Sequence, residues 1–195
     1  MATAFKRKGP QIVGRLGEQE RGLVVELLTQ THELVAPAYD EVTGDVFTDL
    51  MSSMGEGPGQ EELADRDSAL RRLLPDASRD DPEISAEFRR LTEHGLRRTK
   101  ATRLKAAADA LRGESGGRGT KVVLDVAQAQ DLMVALTDVR LVLGDRVGLQ
   151  TEEDGERLQA RLEASEGLDD PVVVLYAYYD FLTWLQESLA QALMG

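Results

Sequence analysis

The sequence predicts a mainly α protein: a bundle of about five to six helices with a small β-sheet of two to three strands. Three observations carry this. Long stretches keep apolar residues at helical spacing and open on capping residues, as at Asp81-Pro82, Asp125 and Asp170-Pro171. Short apolar runs at 3–6, 11–16 and 121–124 are too brief for helices and read as strands. Aromatic residues make up only 5% of the chain, so the core is aliphatic.

The first two strands flank a Lys8-Gly9-Pro10 turn. A helix follows from about Glu18 to Val35, with Leu23, Leu27 (with Leu28) and Leu34 at helical spacing, and Pro37 stops it. Residues 39–54 predict a short helix through Val42, Val46, Phe47, Leu50 and Met54. Residues 55–66 predict an acidic loop after the Gly55–Gly59 break, and Asp67 to Leu74 a short helix ended by Pro75.

Asp81-Pro82-Glu83 begins a helix in the best electrostatic order, with a capping acid, proline at the first position and an acid for the dipole. It runs to about Arg112 and yields to a glycine-rich linker at 113–120. The strand at 121–124 follows and pairs with the N-terminal strands. Asp125 with Gln128 forms a capping box for a helix carrying Ala129, Leu132, Met133, Leu136, Val139, Leu143 and Val147 on one face. Thr151 opens an acidic helix, and Asp170-Pro171 opens the last, which reaches Met194. The chain reads as one domain, 1–195, with flexible loops at 55–66 and 113–120.

The 195 residues contain no cysteine, which excludes disulfides, thiolate metal sites and a cysteine nucleophile. The two histidines, His32 and His94, lack partners at metal-ligand spacing, and no Gly-x-Ser-x-Gly elbow exists. Each histidine reads as a surface or capping residue. The glycines at 113–119 precede Thr120-Lys121 and a strand, the reverse of a phosphate loop. No catalytic, cofactor or metal residues are therefore assigned. No apolar run is long enough to span a membrane and no signal core follows Lys6, Arg7 and Lys8, so the expected location is cytoplasmic.

Net charge is −12, which opposes non-specific nucleic-acid binding. One region departs from this: residues 84–112 carry a net charge of +5. There Arg89, Arg90, Arg97, Arg98, Lys100, Arg103 and Lys105 spread over about 220° of helix surface. The functional reading is an anion- or partner-binding arc; the plainer one is neutralisation by the chain's own acids. The arc they leave holds Ile84, Phe88, Leu91, Gly95, Thr99, Thr102 and Ala106. Its small residues permit close approach of a neighbouring helix but bury little area, so the helix is expected to be held weakly toward its C-terminal end.

The last helix is apolar over more than one core face. Leu175, Tyr178, Leu182, Leu185 and Leu189 form one stripe, Val174, Phe181 and Trp184 a second. Tyr178, Tyr179, Phe181, Trp184 and Leu185 are the candidates for a dimer or partner contact. Asp138 and Arg140, two apart, do not face each other and are expected to anchor neighbouring helices.

Several segments carry a resemblance. They are Leu73-Leu74-Pro75-Asp76-Ala77, Asp80-Asp81-Pro82, Ala86 to Glu93, Leu136 to Gly144 and Phe181 to Leu189. Together they resemble an actinobacterial family of unknown function encoded beside the Clp protease adaptor gene. Some of its members are described as oxidative-stress transcriptional regulators that sense redox state through a cysteine pair. This chain lacks that pair, so the resemblance implies only a cysteine-independent regulatory or scaffold role.

The function expected is a non-enzymatic regulatory or interaction protein with a protein partner, such as transcription machinery, and a homodimer. The alternatives are a DNA-contacting regulator using helix 82–112, which the net charge disfavours, and an enzyme with a carboxylate site.

Overall fold

The computed structural model describes residues 2–37, 66–78, 80–113, 120–165 and 170–195. The helix expected at 39–54 lies outside them. So does most of each expected loop, 55–65 and 114–119.

Strands β1 (Thr3–Lys8) and β2 (Gln11–Arg15) form a hairpin around Gly9, whose φ of 62° is the left-handed conformation that suits glycine. Strand β3 (Lys121–Leu124) pairs antiparallel with β2, from Ile12 opposite Leu124 to Arg15 opposite Lys121. The sheet order is β1-β2-β3, and its inner face carries Phe5, Ile12, Val122 and Leu124. The expected three-stranded sheet is present, and the chain is mainly helical with six helices among the described residues.

Helix α1 is Glu18–Val35. Its Glu20 carboxylate accepts from the amides of Gly17 (2.7 Å) and Ala2 (2.8 Å), tying the helix start to the sheet. Val24, Leu28, Thr31 and Val35 are buried, whereas Leu23, Leu27 and Leu34 are half-buried. Of the expected residues Leu28 lies on the inner face, and the others sit one residue off it. The Leu23–Leu28 run is apolar over a broad arc, and the neighbouring helices select the innermost residues.

Helix α2 (Ser68–Leu73) is capped by Asp67, α3 (Pro82–Gly113) by Asp81, and α4 (Val126–Arg146) by the Asp125–Gln128 box. Helix α5 (Glu152–Ala164) is capped by Thr151, and α6 (Pro171–Met194) by Asp170. The Asp170 carboxylate also receives Arg161 at 2.6 and 2.9 Å, which staples α5 to the start of α6. Helix α4 packs on α6, α3, α2 and α1, and α1 packs on α3. The core joins Leu28, Leu104, Leu111, Leu132, Leu136, Leu182, Leu185 and Leu189, all fully buried. No described helix is long and apolar enough to cross a membrane.

Helix α3 reverses the expectation for it. Ala101, Leu104, Ala107, Ala108 and Leu111 are buried, so the C-terminal half is the well-held one. In the N-terminal half only Ser85 and Glu93 are buried. Gly95, Thr99, Thr102 and Ala106 are exposed; the small-residue arc faces away from the protein. The residues between the basic positions, Ala101, Leu104 and Ala108, make the packing face instead, and the cations' flexible stems leave room for it.

Candidate functional site

Helix α3 places its cations against the protein's own acids. Lys100 Nζ reaches Asp138 Oδ1 on α4 at 2.6 Å, and Arg103 Nε reaches Asp131 on the same helix at 3.3 Å. Arg97 Nε binds Glu93 Oε1 at 2.9 Å, and Arg66, just before α2, donates to that same oxygen at 2.7 Å. This triad is enclosed: the side chains of Arg66 and Glu93 are 6% and 8% exposed. Arg89 pairs with Asp76, Arg90 with Glu87, and Lys105 with Asp109. The Arg90 guanidinium holds the Glu87 carboxyl below its usual range, and the Lys105 ammonium does the same for Asp109. Of the seven candidate cations, Arg98 alone makes no ion pair among the described residues.

The arc read from the sequence is therefore not a continuous cationic surface. Three of its pairs, Arg90–Glu87, Arg97–Glu93 and Lys105–Asp109, lie within α3, and the rest tie that helix to Asp131 and Asp138 of α4 and to Arg66 and Asp76 on either side of α2. Arg97 and Lys100 pair with buried carboxylates and compete poorly for a phosphate backbone, whereas the Arg90 and Lys105 pairs are solvent-exposed and weak.

Helix α4 supplies the other polar fastenings. Asp138 takes Lys100, and Arg140 donates to Gln186 (2.6 Å) and the Tyr179 hydroxyl (3.2 Å) on α6. The expected anchoring roles of Asp138 and Arg140 hold. Asp145, which the sequence places on the same helix as Asp138 and Arg140, joins them, as does Arg72, which sequence reading missed. Asp145, also buried, accepts from Ser68 Oγ at 2.5 Å, and Arg72 donates to the Leu149 carbonyl at 2.6 Å. Asp145 was findable only as an acid on an apolar helix face. Its partner lies 77 residues away, which no local pattern reveals.

The aromatic candidates on α6 divide. Leu185 is fully buried in the core, and Tyr178 packs partly buried against it. Tyr179 is occupied by Arg140, whose guanidinium lies 5.0 Å from the ring centroid. Phe181 and Trp184 stack at 6.0 Å, with Trp184 38% exposed. At helical spacing they share a face with Ser188 and Ala192. Ser188 Oγ accepts from the Phe5 amide of edge strand β1 at 3.2 Å, so the sheet covers that face toward the C-terminal end. Trp184 lies beyond that contact and remains open.

The larger exposed apolar group is on α3. Ile84 is 57% exposed, Phe88 42% and Leu91 57%, spaced four and three residues apart on one face. Along the C-terminal half of α3, His32 of α1 lines an open groove of about 310 Å³ with Ala101, Thr102, Lys105, Ala106 and Asp109. Both histidines are half-buried, and among the described residues no three His, Cys, Asp or Glu side chains cluster as a metal site.

No curated protein and no solved structure matches this chain. A family does match over residues 2–193, and its description is Domain of unknown function (DUF2017). The match spans the sheet and the six helices of the described residues up to residue 193, and on that extent the chain belongs to this family.

Proposed function

We propose that this is a non-enzymatic interaction protein that acts by binding other proteins rather than DNA. One observation carries the reading. Six of the seven candidate cations are committed to intramolecular ion pairs, while large apolar side chains on α3 and α6 are displayed to solvent. Exposed apolar groups of this kind are a mark of protein contact surfaces. On α6 the stacked Phe181–Trp184 pair is the partner surface, since aromatic anchors dominate such interfaces. The resemblance to stress-response regulators suggests transcription machinery as the partner; the missing cysteines exclude a cysteine-pair sensor in this chain.

Two measurements test it. In fluorescence anisotropy with duplex DNA, wild type and the Arg97→Ala/Arg98→Ala double variant are expected to bind equally poorly at low salt. Wild-type binding with a steep salt dependence that the double variant weakens defeats the proposal. In an affinity pull-down from native lysate, Trp184→Asp is expected to lose a protein that wild type captures.

A further inference from the structure

The outward face of α3 is self-complementary. At about 100° per residue Gly95 points directly away from the core residue Leu104. On one side of it along the helix stand Leu91, Phe88 and Ile84; on the other, Thr99, Thr102 and Ala106. The spacings from Gly95 are four, seven and eleven residues in both directions. Large residues lie on the N-terminal side and small ones at the mirror positions.

From this we propose that the face binds a second copy of the chain, with α3 packed antiparallel against α3 and a two-fold axis through Gly95. In that register Ile84 meets Ala106, Phe88 meets Thr102 and Leu91 meets Thr99. Each large side chain finds a small one, and the contact is isologous, as a closed dimer requires.

Three further observations agree with that pairing. The open groove beside α3 is bounded by Thr102 and Ala106, so it lies where the second copy's Phe88 and Ile84 arrive. A Cβ on Gly95 would meet nothing within 4 Å in the monomer. Glycine weakens a helix interior, and no contact among the described residues calls for it here; at a helix crossing its missing side chain lets the two axes close. The charges on one flank are compatible: Glu87 and the second copy's Lys105, each paired within its own helix to Arg90 and Asp109, face one another in this register, and Arg98, which makes no ion pair among the described residues, stands on the same side. The occupant of the α3 face is thus a second copy, and the α6 aromatic pair stays free for the protein partner. The inference rests on the preceding proposal only in reading exposed apolar residues as contacts.

Analytical ultracentrifugation tests it, since the monomer mass is 21.4 kDa. Wild type is expected to shift toward twice that mass as concentration rises through the micromolar range, because one helix pair is a small interface. Phe88→Asp and Gly95→Leu, both at exposed positions, are expected to stay monomeric with unchanged circular dichroism. Trp184→Asp is expected to dimerise like wild type. Because the chain has no cysteine, single cysteines report the register. Gly95→Cys is expected to form an intermolecular disulfide. Ile84→Cys is not, since the two copies of residue 84 would lie about 33 Å apart at 1.5 Å per residue. A wild type monomeric at about 300 µM, well above micromolar dissociation constants, overturns the inference. A dimer that survives both Phe88→Asp and Gly95→Leu, or an Ile84→Cys cross-link, does so equally. A monomer that still captures a partner through Trp184 defeats this inference and leaves the interaction reading standing.

Discussion

Gly14 shows how narrowly single residues fit here. It is buried in β2, and a Cβ there would lie 2.8 Å from Cδ1 of Phe5. The ring occupies the space that any other residue would need, and it cannot swing aside because Phe5 is itself buried in the core. Gly14→Ala is therefore expected to lower stability by about 1–3 kcal/mol through overpacking. The check is the urea midpoint; an unchanged midpoint would mean that the ring repacks freely. From sequence alone, Gly14 reads as one more residue in a short strand. Its tight fit depends on the β1–β2 register and on the placement of Phe5 over it. Glu93 makes the same point for charge. It looks like one acid among many on a surface helix, yet it holds Arg66 and Arg97 together in a nearly closed site.

Among the described elements, α2 is the shortest helix and leans on its N-cap. Asp67 accepts from the Ala69 amide at 2.8 Å and from Arg146 of α4 at 2.5 Å. The Arg146 hydrogen bond, the largest cause, holds the Asp67 carboxyl below its ordinary value. Its pKa is lower folded than unfolded, so its stabilising contribution is complete above the unfolded value of about 3.9 and is lost as pH falls through the folded one. Glu20 behaves the same way through the Gly17 amide. Asp67→Asn keeps the cap acceptor but removes the charge. It is expected to cost about 0.5–1 kcal/mol at pH 7, the pair being partly solvated. The deficit is expected to shrink below pH 4. Urea titrations from pH 7 to pH 3 read this, and a deficit that stays constant rules out the electrostatic cause.

Over the whole molecule, stability is unevenly shared along α3. Its 32 residues span about 48 Å at 1.5 Å per residue, and its buried apolar residues all lie between Ala101 and Leu111. The buried alanines and leucines between Ala101 and Leu111 secure one end, and the Arg66–Glu93 and Arg89–Asp76 pairs tie the other to the segments around α2. In dilute protein, amides between residues 84 and 92 are expected to exchange at least about tenfold faster than those between 101 and 111, following local rather than global opening. Hydrogen-exchange mass spectrometry measures both segments in one experiment. Equal protection in dilute monomer would show that the ion-paired half opens only with the whole domain.

The sequence by itself determined where the described helices begin and how the chain divides into helix and strand. Asp81-Pro82, Asp125 with Gln128, Thr151 and Asp170-Pro171 act through bonds to amides two or three residues away, so a local pattern contains the whole interaction. It also placed the three strands, and it set Phe181 and Trp184 together on one helix face. What only the tertiary structure decided is which face of each element turns inward. Helix α3 carries two stripes on opposite sides, one aliphatic with cations between and one of large then small residues. Periodicity weighs both alike. The choice fell to residues far away in the chain: Asp131 and Asp138 on α4 meet the cations of α3. With Leu104, Ala108 and Leu111 packed in the core and Lys100 and Arg103 paired to α4, Ile84, Phe88 and Leu91 are left in solvent, as are Arg90, Arg98 and Lys105.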